Sequence, residues 1–144
     1  MRRTTRNTSS PAGFTFVEVL IVTIIIGLLS ALVIPAFLGQ REKAEGAAAQ
    51  SLLRSSAGTV EAASVDADGY AAITTTQLGK IEPNVSWRVA SGSTTTLNQV
   101  SVTGLTASGY TLTTTTPSGQ EYSLAKDTGT VPTVTRTCGP GCTW

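Results

Sequence analysis

The sequence predicts an α+β protein: a long N-terminal helix packed against a small antiparallel β-sheet head. Three observations carry that prediction. An apolar run extends from Phe14 to Phe37, helical spacing continues in amphipathic form to about Ser64, and short alternating segments rich in Thr and Val follow. The 144 residues divide accordingly into a basic leader over 1–13, an apolar helix over 14–37, its amphipathic continuation over 38–64 and a β-rich head over 65–144.

The apolar run, within "SSPAGFTFVEVLIVTIIIGLLSALVIPAF", carries no charge from Val19 to Ile34, and its Thr23 and Ser30 hydroxyls can bond back to helix carbonyls. As a helix, Phe14 to Phe37 is about 36 Å long. That is enough to cross a hydrocarbon core of about 30 Å with some tilt. Arg2, Arg3 and Arg6 precede it with no acidic residue among them, which places the N-terminus on the cytoplasmic side and the bulk of the chain outside. A cleaved secretory signal would put its small-residue cleavage site after the apolar run; here the small residues of "PAG" come before it. A plain signal anchor accounts for everything except Glu18. A carboxylate in a membrane helix costs up to a few kcal/mol and calls for a partner.

The stretch "GFTFVEVLIVTIIIGLLSALVIPAF" resembles the N-terminal signature of type IV prepilins and their relatives, the pseudopilins of type II secretion. The resemblance covers roughly Ala12 to Phe37, under a fifth of the chain, with specific order and spacing. It implies cleavage by a prepilin peptidase between Gly13 and Phe14, N-methylation of Phe14, and an assembly role for Glu18. Gly27 and Pro35 match positions where the family carries helix-weakening residues. Two readings of that pair stand side by side: a gently kinked membrane helix, or a segment that unwinds and stretches in a filament. The implied shape is a ladle, with the helix as handle and the sheet as head.

Beyond Pro35, Leu38, Ala48, Ala49, Leu52, Leu53, Ala57 and Val60 recur near three- and four-residue spacings, while Arg41, Glu42, Lys43, Glu45 and Arg54 take much of the remaining surface. No heptad is sustained, so this half is expected to pack on its own head rather than form a free coiled coil. "DADGY" (66–70) is a stop signal; Asp66 and Asp68 faintly suggest a calcium loop, but an Asx-type turn fits them better. A short helical turn is expected in "ITTTQLGKIEPN". Strands are expected at Val85–Ala90, Leu97–Gly104, Tyr110–Pro117 and Glu121–Asp127, with a weaker fifth at Thr133–Thr137. "PSGQ" (117–120) is a hairpin-turn candidate. The Thr residues suit an exposed sheet face, with O-glycosylation or adhesion as the functional alternative. "NVS" at Asn84 is a weak N-glycosylation pattern. Trp87 and Trp144 read as packing anchors.

Cys138 and Cys142 lie in "TCGPGCTW", where a Gly-Pro-Gly turn permits a tight disulfide loop in an exported protein, with free thiols as the alternative. Two thiolates without any His leave a zinc site two ligands short. The chain has a net charge of +1, and without the leader it carries seven basic and nine acidic residues, with no basic patch of the kind nucleic-acid binding requires. No catalytic constellation or cofactor motif is present, so no enzymatic role is expected. The expected function is a structural subunit that inserts in the cytoplasmic membrane and then polymerises through its N-terminal helix into a filament on the bacterial surface, with a prepilin peptidase and an assembly machinery as partners. A pseudopilin or minor pilin of a secretion or DNA-uptake system is the alternative within the family. A single-pass anchored binding module is the alternative from another class.

Overall fold

The computed structural model describes residues 13–89 and 98–144; the leader through position 12, Ala90 and Leu97 lie outside them. The described chain is α+β, with helices α1 (Phe16–Asp66) and α2 (Thr75–Ile81) and strands β1 (Ser86–Arg88), β2 (Gln99–Thr103), β3 (Gly109–Thr115), β4 (Glu121–Asp127) and β5 (Thr133–Cys138). It separates into two units, one ending at Gly39 and one running Gln40–Trp144. The first contains only the N-terminal part of α1 and the residues before it.

The second unit is built on one sheet in the order β1-β2-β3-β4-β5. The three β2–β5 pairings are antiparallel, as expected, but β1 pairs with β2 in parallel. A tight hairpin turn would have forced the antiparallel arrangement. The chain between Arg88 and Gln99 is longer than any such turn, which leaves it free to return to the same end of the sheet. The "PSGQ" turn forms as expected: Gly119 has φ 87, and the Thr116 amide donates to the Gln120 carbonyl at 2.9 Å.

Alternate strand residues Val100, Val102, Tyr110, Leu112, Tyr122 and Leu124 are buried together with Ala49, Leu53, Val60 and Ala63 of α1. The α1 residues belong to a seam, Gly46–Ala49–Leu53–Ser56–Val60–Ala63, that alternates three- and four-residue steps. Of the face expected from sequence, Leu52 and Ala57 are half-buried, while Leu38 and Ala48 are exposed. Gly46 belongs to the seam because the Tyr122 ring packs directly on it and leaves no room for a Cβ.

The Thr residues divide differently from the expected exposed face. Thr111 and Thr113 are half-exposed, but Thr114, Thr115 and Thr116 are buried. Burial is tolerated where the hydroxyl finds backbone: Thr114 Oγ1 donates to the Gln99 carbonyl at 2.8 Å and Thr116 Oγ1 to that of Gln120 at 3.3 Å. Ser56 differs, because its fully buried Oγ has no hydrogen-bond partner among the described residues. An unsatisfied buried hydroxyl costs about 1–3 kcal/mol. Ser56→Ala is therefore expected to raise stability by about 1 kcal/mol, measured by thermal denaturation of the detergent-solubilised chain.

α1 closes where the stop signal lies. Asp68 takes φ 55, and the Gly69 amide donates to the Ser64 carbonyl at 3.0 Å, the six-to-one bond of a Schellman closure. The short helix α2 starts on a capping box formed by Thr74 and Gln77. Trp87 is half-buried against the core and donates its indole N–H to the Glu82 carbonyl at 3.3 Å.

Candidate processing and assembly site

Gly13 and Phe14 precede the first turn of α1 in irregular backbone, and Phe14 is 83 % exposed. Among the described residues, nothing lies within 4 Å of the position a Gly13 Cβ would take. The bond between them is thus held outside any helix hydrogen-bond ladder. Thr15 then starts the helix: its Oγ1 accepts the Glu18 amide at 3.3 Å, and its carbonyl accepts the same amide at 3.2 Å. This is the threonine arm of a capping box, read from "TFVE". It places Glu18 in the first helical turn, where the helix dipole favours a carboxylate. Beyond being a charge in need of a partner, Glu18 thus has a second, local role, and the Thr-x-x-Glu spacing is its sequence signal.

From Phe14 to Leu38 every large apolar side chain is exposed. The Thr23 hydroxyl donates to the Leu20 carbonyl at 2.9 Å and the Ser30 hydroxyl to that of Ile26 at 2.7 Å, so neither polar group is left for the apolar surface to satisfy. α1 is helical through both Gly27 and Pro35. Pro35 has no amide to donate to the preceding turn, and Gly27 presents open space on its side-chain face. The segment is long and apolar enough to cross a membrane and fits a membrane anchor.

Cys138 and Cys142 are disulfide-bonded, with Cα atoms 6.0 Å apart. The loop is pinned on both sides. Gln120 Nε2 donates to the Pro140 carbonyl at 3.2 Å, Gln50 Nε2 of α1 to that of Thr143 at 2.9 Å, and Trp144 Nε1 to that of Thr137 at 2.7 Å. Trp144 also packs edge-on against Tyr122.

A polar cluster that sequence reasoning missed ties α1 to the sheet. Glu61 Oε1 accepts from Tyr110 Oη at 2.8 Å and Lys126 Nζ at 2.7 Å, while Oε2 accepts from Tyr70 Oη at 2.9 Å. Partial burial pushes the Glu61 carboxyl upward, but the bonds from Lys126, Tyr110 and Tyr70 outweigh it and hold its pKa below the ordinary value. The same pairing with Glu61 raises Lys126. Burial, and then Glu61, raise Tyr110. Nothing in the spacing of Glu61, Tyr70, Tyr110 and Lys126 announces this cluster, because it exists only once β3 and β4 pair. Among the described residues, no group of three or more His, Cys, Asp or Glu is placed to hold a metal ion. Asp66 and Asp68 instead end the helix.

These features define a class: a chain whose described residues include one membrane-length apolar helix that continues into a disulfide-bearing α+β unit. Over 40 residues the chain is 45 % identical to the type II secretion system core protein G of Escherichia coli (strain K12), a stretch covering 28 % of this chain and 28 % of that protein. The match thus spans little more than a quarter of that relative's length. No family model matches the chain, and no solved structure matches it.

Proposed function

We propose that this protein is a pilin-like structural subunit, cut after Gly13, methylated on Phe14 and polymerised through the apolar half of α1 into a filament. The observation that carries the reading is the juxtaposition at the head of α1. A non-helical Gly13–Phe14 bond is followed within one turn by an exposed Glu18 and then by an apolar surface with no partner among the described residues of its own chain. Cleavage there leaves a cationic amine on Phe14 beside Glu18. Packed among other apolar helices, either charge alone is strongly unfavourable, whereas the pair is tolerable. The amine of one subunit facing Glu18 of a neighbour then fixes the axial register, since other offsets leave both groups without a counter-charge. Pro35 and Gly27 supply the positions at which the helix yields during assembly.

The likeness to a type II secretion core protein favours a second form of this reading, in which the filament is the short pseudopilus of a secretion machine rather than a surface pilus. Abundance separates the two forms: a major pilin dominates sheared surface material, and a pseudopilin is scarce there. The mature N-terminus tests the processing step. Mass spectrometry of protein recovered from filaments or membranes is expected to give a first peptide beginning at N-methylated Phe14. An intact Met1, or a cut after Phe37, overturns the reading.

A further inference from the structure

We propose that Arg54, Arg136 and Trp144 form a docking surface for Asp66 and Asp68 at the end of α1 in a second copy of this chain. Both guanidinium groups lie 5.8 Å from the centroid of the same indole ring. The ring is fixed by its bond to the Thr137 carbonyl, by Tyr122 and by the disulfide loop that carries it. The ion pairs among the described residues are Arg41 with Glu45 and Lys126 with Glu61, so neither Arg54 nor Arg136 meets a carboxylate there. Two exposed guanidiniums that share one ring and form no ion pair among the described residues suit a pair of carboxylates.

The complementary pair occurs on the same molecule. Asp66 is the last residue of α1, and Asp68 follows in the left-handed region, one residue beyond Ala67. Both are exposed and outside the ion pairs, and the last turn of α1 has no basic residue. Both carboxylates therefore sit unfavourably at the negative end of the helix dipole. A cation brought by another copy relieves that, and the same contact neutralises the arginines. Within one chain the two surfaces do not meet, because Arg54 and Asp66 are separated by about 18 Å of helix. Glu45 and Glu61 already hold basic partners; Glu42, Glu82, Glu121 and Asp127 also lie outside the ion pairs, but among the described residues only Asp66 and Asp68 stand two residues apart at a helix C-terminus with no basic residue in its last turn.

The inference rests on the reading of the chain as a self-assembling subunit and deepens it by naming a contact between heads. Full-length R54K/R136K protein keeps both charges and makes each a target for zero-length carbodiimide coupling to carboxylates. In detergent micelles that mix light and heavy-isotope chains, mass spectrometry is expected to find light–heavy links from position 54 or 136 to Asp66 or Asp68. D66N/D68N, or high salt, is expected to lower the cross-linked dimer at least tenfold. The charge-exchanged variant R54D/R136D/D66K/D68K is expected to restore salt-sensitive carbodiimide cross-linking between chains, which a surface that needs these arginines for folding alone would not do. Links confined to other carboxylates, or none, overturn the contact. If the contact fails while sheared filaments still contain the chain, the subunit reading stands. If the links form but the mature chain never enters filaments, the contact stands and that reading falls.

Discussion

Glu18→Val is expected to insert in the membrane and be cleaved after Gly13 as the parent is, yet to lose at least nine-tenths of its filament yield. The substitution makes the apolar helix more apolar, so insertion has no reason to suffer. What it removes is the counter-charge for the Phe14 amine. Leaving one member of a desolvated ion pair alone costs about 3–5 kcal/mol. At 1.4 kcal/mol per factor of ten, that exceeds a hundredfold in the equilibrium for adding each subunit. The local role of Glu18 in the first turn of α1 is smaller, about 0.3–1 kcal/mol. Glu18→Gln separates the two, since it keeps the size and polarity at that position and loses the charge. Quantified filament protein in sheared fractions is the measurement. Parental yield from Glu18→Gln would show that charge pairing does not drive assembly.

The second large effect concerns the Gln40–Trp144 unit. Glu61→Ala strips the acceptor from Tyr70, Tyr110 and Lys126 at once, with Tyr110 only 3 % exposed. The Glu61 side chain is itself 39 % exposed, so solvent screens part of its ion pair with Lys126. The main loss is the buried Tyr110 hydroxyl, and the total expected destabilisation is about 2 kcal/mol by thermal or urea denaturation. The pH dependence has a definite sign. Because the folded pKa of Glu61 is depressed, its contribution is complete above the ordinary carboxylate pKa of about 4.3 and is lost as pH falls through the lower folded value. The stability gap between the parent and Glu61→Gln is thus expected to be largest near neutrality and to close in acid. A gap independent of pH would assign the effect to packing rather than to the carboxylate.

How much was legible in advance differs from element to element. β4 falls at Glu121–Asp127 as the alternation of Tyr122 and Leu124 indicates, and α1 ends within two residues of the expected stop. Both rest on strong local signals: a period-two pattern between turn residues, and a Gly-containing closure after a helical run. The core seam of α1 was only half legible. Leu53 and Val60 stand out in sequence, but the seam also uses Gly46, Ser56 and Ala63, which hydrophobicity does not mark. Their small size lets the sheet come close, and Tyr122 occupies the space that Gly46 leaves. The parallel pairing of β1 with β2 was not legible either, since strand propensity carries no direction and the connection imposed none.

The membrane-length helix, the position of Gly13, Phe14 and Glu18 at its start and the α+β class are written in local residue order. Each of these follows from the order of residues within a few turns, where hydropathy, charge and spacing act locally. Packing in three dimensions settled which Thr residues are buried, that Cys138 and Cys142 bond, and that Glu61 joins two tyrosines and a lysine. It also decided that Arg54 and Arg136 share one indole. Apart from the disulfide, whose cysteines stand four residues apart, those contacts join residues far apart in the chain, and their energies exist only after the sheet has brought its strands together against α1.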